Sequence, residues 1–242
     1  MVYNPEVWYT QHQTAPFPAR IFIPPFVEPI SSNINPVLLG WLNNFGVNMG
    51  TYLDEHGMPG AIHRVGFDNW DPGFQDFTGI FRNSIAFFTE TALYGYATPH
   101  FYTVRDFPPN YRSLTAGIFY SSPWKGGWWR LRDAVDYMQA ASMSVLQMSS
   151  KYREQMLYNK YVAGRDTIAN YSENPPYAYV IPADQVHRTE AADLARIFMV
   201  NGVEVHQAQQ AFAANGRSYA AGSWVILMNQ PYASLVKELM EP

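Results

Sequence analysis

The sequence contains no cysteine, and this absence excludes disulfide bonds, thiolate metal sites and a cysteine nucleophile. Charge is also scarce: charged residues make up 15% of the 242 residues, and the net charge is −4. Because no basic stripe is present, nucleic acid is not an expected partner. No apolar run reaches the length of a membrane span, and the N-terminal residues do not have the pattern of a signal peptide.

Several catalytic signatures are missing as well. The chain has no Walker-type phosphate loop, no Gly-x-Gly-x-x-Gly, no His-Glu-x-x-His and no Gly-x-Ser-x-Gly. The chain is rich in apolar residues: 48% of its residues are hydrophobic and 16% are aromatic. This composition predicts a large packed core in one large or two small domains.

Periodicity and breaker residues predict the main elements. A helix is expected from Asn35-Pro36 to Gly57, an apolar strand-like segment over Ile80–Thr89, and a long helix from about Arg132 to about Ile168. Residues 170–176, with their Asn-Pro-Pro run, are the predicted linker. Residues 177–242 then read as a small α/β unit of βαβ type.

The C-terminal unit is predicted in some detail. Strands are expected at 177–181 and 203–205, a hairpin leads into 224–227, and helices cover 191–198 and 232–240.

The segment Phe87-Phe88-Thr89-Glu90 ends an apolar run on a carboxylate, downstream of the aromatic, glycine-rich loop at 66–73. A strand fixes the direction of such a glutamate, and burial raises its pKa, which is how a general base is often built. A structural ion pair at a strand end is the alternative.

Two further patterns contain histidine. His12 ends a short apolar segment before a proline-rich loop and fits a metal ligand, an acid/base group or a packed polar residue. His187 and Glu190 have the His-x-x-Glu spacing of two zinc ligands, although they also suit the first turn of a helix.

Four segments, taken in order, resemble the zinc carboxypeptidase (M14-like) family, in its large bacterial form with an appended C-terminal α/β domain. They are Pro5–Gln13 with Ala19–Phe26, Phe67–Gly73, Phe81–Thr91 and Pro123–Asp133. The stretches 178–182 and 219–223 resemble the appended domain.

The resemblance implies a fold and a set of site residues. The fold class is α/β: the C-terminal half of a mixed-sheet carboxypeptidase-like domain (residues 1–169, with its closing helix) and a small α/β accessory domain (residues 177–242). His12 corresponds to a zinc ligand and Glu90 to the general base. The loop carrying Asp68 and Trp70 corresponds to the substrate cleft. Arg20 would meet a substrate carboxylate, or would form a structural pair.

The resemblance also implies hydrolysis of C-terminal residues from peptides, zinc as the cofactor, and a periplasmic or secreted location. The sequence departs from the family in two ways. The family's His-x-x-Glu zinc ligands and its substrate clamps precede the segment of His12, so this chain is expected to match only the C-terminal part. Arg82 stands where relatives often have histidine, and it is expected to pair with Glu90 and lower its pKa.

Two other functions are compatible with the residues. The first is a non-catalytic binding or assembly scaffold that keeps the fold without the metal, either joined to the missing N-terminal half or self-associated. Its aromatic surfaces would then serve as interfaces. The second, least favoured, is a carbohydrate-binding or glycosidase function based on Asp68, Asp71 and Asp76 around Trp70, where turn chemistry is the common explanation.

Overall fold

The structure is a computed structural model that describes residues 4–14, 17–93, 95 and 97–241. It shows a mixed α/β protein with several helices and several small sheets. The first elements are β1 (Val7–Thr14), β2 (Ile21–Phe22), α1 (Pro36–Glu55), β3 (Ala61–Ile62), α2 (Gln75–Thr78) and β4 (Ile85–Ala92). Their strands form one mixed sheet in the order β1-β4-β2-β3. β1 is parallel to β4, β4 is antiparallel to β2, and β2 is parallel to β3.

The middle of the chain begins with a two-stranded sheet of β5 (His100–Tyr102) and β6 (Gly127–Trp129). Two helices follow, α3 (Leu131–Lys151) and α4 (Arg153–Glu173). The predicted single helix is therefore interrupted. Tyr152 leaves the helical region at φ −112° and ψ 20°, and its ring packs 5.6 Å from that of Trp41.

The C-terminal elements are β7 (Ala178–Ile181), α5 (Arg188–Val200), β8 (His206–Gln207), β9 (Phe212–Ala214), β10 (Arg217–Tyr219), β11 (Trp224–Leu227) and α6 (Ala233–Met240). β11 lies between β7 and β8 and is antiparallel to both. β7 and β8 therefore run in the same direction on either side of it, which is a split βαβ unit. The second strand lies just after the predicted 203–205, while the other elements of this unit lie close to the predicted positions.

Local sequence explains α1 well. The side chain of Asn35 caps the helix by accepting a hydrogen bond from the Val37 N–H at 3.0 Å, and Pro36 occupies the first turn. Five members of the apolar stripe that the helical spacing predicts are buried, namely Leu38, Leu42, Phe45, Met49 and Leu53, whereas Val37 is exposed and Trp41 and Tyr52 are half-buried. On the same helix Gly46 allows close approach of the Pro24 carbonyl, whose oxygen would lie 1.7 Å from an added Cβ.

Every residue of β4 is buried, because aromatic side chains cover both faces of the strand. On one face Phe87 stacks on Tyr9 at 5.3 Å and contacts Phe45 of α1 at 5.0 Å. On the other face Phe88 packs against three further rings, those of Phe26, Phe67 and Phe77. The strand that carries Glu90 is thus fixed from both sides.

The C-terminal unit contacts the sheet and the loops around it. The Asn83 side chain donates to the Pro231 carbonyl at 2.9 Å, and Ser31 and Asn33 both donate to Glu238 at 2.6 Å. The division into residues 1–169 and 177–242 stays a prediction. Within the described ranges, no helix combines the length and the hydropathy needed to cross a bilayer.

Candidate functional site

The register of β1 against β4 places His12 directly opposite Glu90. His12 Nδ1 and Glu90 Oε2 are 3.1 Å apart, which is a hydrogen-bond distance. The two strands are parallel, so both residues lie near the carboxyl ends of their strands, where open α/β sheets usually bind ligands. The structure therefore brings together the two residues that the sequence singled out for chemistry.

The two members of this pair differ in their access to solvent. Glu90 is buried at 4% exposure and lies opposite Phe22 of β2, whereas the His12 side chain is 64% exposed. With Glu90 ionised, the carboxylate can only accept, so Nδ1 carries the proton and donates it. The lone pair of Nε2 is then available on the exposed ring to take a proton or to bind a ligand.

A polar cluster holds the opposite end of the two strands. Lys160 of α4 donates to the carbonyls of Asn4 and Pro5, at 2.5 Å and 2.9 Å. Ser84, just before β4, donates to the Pro5 carbonyl at 2.6 Å. Burial lowers the pKa of Lys160. This cluster, which we call the start clamp, joins the beginnings of β1 and β4 to α4. No local pattern in the sequence marks Lys160, because its role depends on a contact across 155 residues.

Arg20 lies in a cage of aromatic rings that belong to the segment 100–129. Its guanidinium carbon is 3.7 Å from the ring centre of Trp124, 4.6 Å from that of Trp129 and 5.5 Å from that of Tyr102. The residue is 1% exposed, and its Nε and Nη1 have no hydrogen-bond partner in the described part of the chain. Burial lowers the pKa of Arg20 to about 10.

This placement makes Arg20 a cation that packs the 100–129 segment onto β2. It lies two residues from Phe22, the partner of Glu90. A contact between Arg20 and a substrate carboxylate stays a prediction.

Asp68 and Trp70 form a turn, in which the Trp70 N–H donates to Asp68 Oδ1 at 3.1 Å. The Trp70 side chain is exposed and lines a cavity of about 390 Å³ between residues 31–33 and α6. His12, Glu90 and Arg20 do not line this cavity. The aromatic loop and the His12–Glu90 pair therefore do not line this cavity together. The role of the aromatic loop in substrate binding stays a prediction.

The expected pairing of Arg82 with Glu90 is wrong. Arg82 precedes β4, whereas Glu90 is the sixth residue of that strand, and the five residue steps from Ile85 to Glu90 span about 16 Å. The Arg82 guanidinium instead faces the Trp8 ring at 5.6 Å, and burial lowers the pKa of this arginine. The pairing fails because the segment between the two residues is largely an extended strand, which keeps their side chains at opposite ends of β4.

The described residues do not form a zinc site. No group of three or more histidine, aspartate or glutamate side chains in residues 4–14, 17–93, 95 and 97–241 is arranged to hold a metal ion. His187 and Glu190 are 3.9 Å apart at the exposed start of α5. Since catalytic zinc needs three protein ligands, the His12–Glu90 pair alone is not sufficient.

Comparison of the chain with protein families, with curated proteins and with solved structures found no match.

Proposed function

We propose that this chain contributes the His12–Glu90 pair to the reaction centre of a metallocarboxypeptidase-like peptide hydrolase, in the periplasm or outside the cell. The observation that supports this proposal most is the parallel register, which sets a buried carboxylate against an exposed imidazole at 3.1 Å. Zinc would supply Lewis-acid chemistry to such an enzyme, and the further ligands it needs would come from outside the described residues.

The pair itself has a definite chemistry. Glu90 holds the Nδ1 proton of His12 and thereby keeps the ring in one orientation with Nε2 exposed. A carboxylate placed in this way has two possible roles. As a general base it must release His12 and accept a proton from water. As an orienting group it keeps its hydrogen bond to His12 throughout the reaction.

The substitution Glu90→Gln separates these roles in the full gene product. If Glu90 is the base, peptide hydrolysis falls by about a hundredfold or more while zinc affinity changes little. If Glu90 orients His12, zinc affinity falls by about 10- to 100-fold. Zinc affinity is measured by competition with a chelator. The nitrogen chemical shifts of the His12 ring report whether Nδ1 still carries the proton.

Matched controls come from exposed residues of the same types. Glu55→Gln and His206→Asn should leave hydrolysis and zinc affinity unchanged, since both side chains are exposed and distant in sequence from the pair. If Glu90→Gln and His12→Asn behave like these controls in both measurements, the proposed function is refuted.

A non-catalytic scaffold is the second candidate. It is favoured by the lack of a three-ligand group in the described ranges and by large exposed apolar side chains on the helices, such as Leu146 and Leu157. Mass measurement and zinc analysis of the native polypeptide distinguish the two. A mature, metal-free chain of this length that assembles would support the scaffold.

A further inference from the structure

We propose that the outer edge of β1 pairs with β1 of a second copy of this chain, which forms an antiparallel dimer with a continuous sheet. β1 is the terminal strand in the order β1-β4-β2-β3, so only one of its edges is used within the sheet. This inference does not depend on the proposed function.

The backbone shows which groups remain unpaired. Ile85 N donates to Glu6 O and Leu93 N donates to Thr14 O, so the even-numbered residues of this region direct their backbone groups toward β4. In a parallel pair the alternate residues direct theirs the other way. These residues are Val7, Tyr9, Gln11 and Gln13, and no described residue bonds to their backbone N–H or C=O groups.

This edge lacks the devices that normally prevent edge-to-edge pairing. Natural edge strands are short, bulged, or carry lysine or proline. β1 has eight residues, pairs with β4 without a bulge from Val7 to Thr14, and contains neither lysine, arginine, acidic residues nor proline. Its only titratable groups are His12 and Tyr9. A second copy of the same edge therefore brings no like charge against it.

The surface beside the edge favours a second strand as well. A cavity of about 580 Å³ lies between β1 and the helices α3 and α4. Val7 and Tyr9 line it on the strand side, and Leu146 and Leu157 line it on the helix side. These two leucines are 62% and 53% exposed, so the helices present apolar side chains next to the unpaired edge. An added strand would cover them.

A two-fold axis requires an antiparallel arrangement, because the same edge must meet itself. In the fully overlapping register, residue 7 pairs with 13 and residue 9 with 11, so all the outward backbone groups are used. The same register sets His12 opposite Trp8 of the second copy. Dimer formation would therefore place Trp8 of the second copy beside the His12 side chain.

The test is the oligomeric state of the chain, measured by light scattering and sedimentation over the micromolar range. The wild type should form a dimer. Gln11→Pro removes an outward N–H and leaves the bonds to β4 in place, so the dimer dissociation constant should rise by about tenfold or more. Gln11→Ala is the control, since it keeps the N–H and loses only the side-chain bonds to Met138 and Ser142.

A second pair of variants excludes loss of folding as the explanation. Gln11→Lys and Gln11→Glu each place like charges close together across the axis, so each should be monomeric, and mixing them should restore a dimer. A wild type that remains monomeric overturns the proposal. So does a Gln11→Pro dimer as tight as the wild type, or a mixture that stays monomeric. Association of β1 with a different protein only, without a dimer, also overturns it.

Discussion

Two glycines of α1 provide a matched test of how closely that helix packs. An ideal Cβ on Gly46 would lie 1.7 Å from the Pro24 oxygen, 2.3 Å from its carbonyl carbon and 2.8 Å from its Cα. Gly40, six residues earlier on the same helix, is exposed and would meet nothing within 4 Å. Substitution by alanine changes the intrinsic helix propensity equally at the two positions. Any difference in stability between the two variants therefore reports the contact at Gly46.

The expected magnitudes follow from these distances. Real Cβ atoms essentially never approach a neighbour closer than 3.0 Å, so the Pro24 backbone or the helix must move by at least 1.3 Å in Gly46→Ala. Pro24 O also accepts a hydrogen bond from His63 Nδ1 at 2.5 Å, which this movement would disturb. We expect a loss of about 2–4 kcal/mol in the free energy of unfolding. Gly40→Ala should instead gain up to about 1 kcal/mol.

Urea denaturation of both variants measures the difference directly. The reasoning is refuted if Gly46→Ala is as stable as the wild type, because α1 would then not contact the Pro24 backbone. A loss of stability in Gly40→Ala would contradict the separate claim that this position is free of contacts.

Three further outcomes are expected. Burial lowers the pKa of His63 below its ordinary 6.5. The neutral imidazole therefore stabilises the fold fully above pH 6.5, and this stabilisation is lost as the pH falls below that value. His63→Asn should flatten the pH dependence of the urea midpoint below pH 6.5. Arg20→Lys should cost about 2 kcal/mol in thermal or urea unfolding, because an ammonium cannot stack on the Trp124 ring as a guanidinium does, whereas exposed Arg105→Lys should be neutral. Asn35→Ala should cost about 1 kcal/mol in the same assay through loss of the helix cap, and an unchanged midpoint would contradict that role.

The features that could be predicted from the sequence are those set by neighbouring residues. Asn35-Pro36 specifies the start of α1 through one side-chain bond, and its apolar spacing specifies the buried face. The break at Tyr152 could not be predicted, because no glycine or proline marks it and the packing on Trp41 comes from a distant helix.

In the candidate site, too, single residues could be recognised from their neighbours in the sequence, whereas the contacts between them could not. Glu90 and His12 were each recognisable as the polar end of an apolar segment. Their direct contact depends on the pairing of strands 78 residues apart. The sequence predicts a substrate carboxylate or a structural pair as the partner of Arg20. Its aromatic cage is assembled from Tyr102, Trp124 and Trp129, whose positions depend on the fold of the 100–129 segment.

The start clamp has a consequence at the far end of β1. Side chains alternate along a strand, so a slip of one residue against β4 would set Gln11 or Gln13 opposite Glu90 and turn His12 to the other face. Lys160 opposes such a slip by fixing the carbonyls of Asn4 and Pro5. A substitution in α4, such as Lys160→Met, can therefore separate the imidazole from the carboxylate without touching either group.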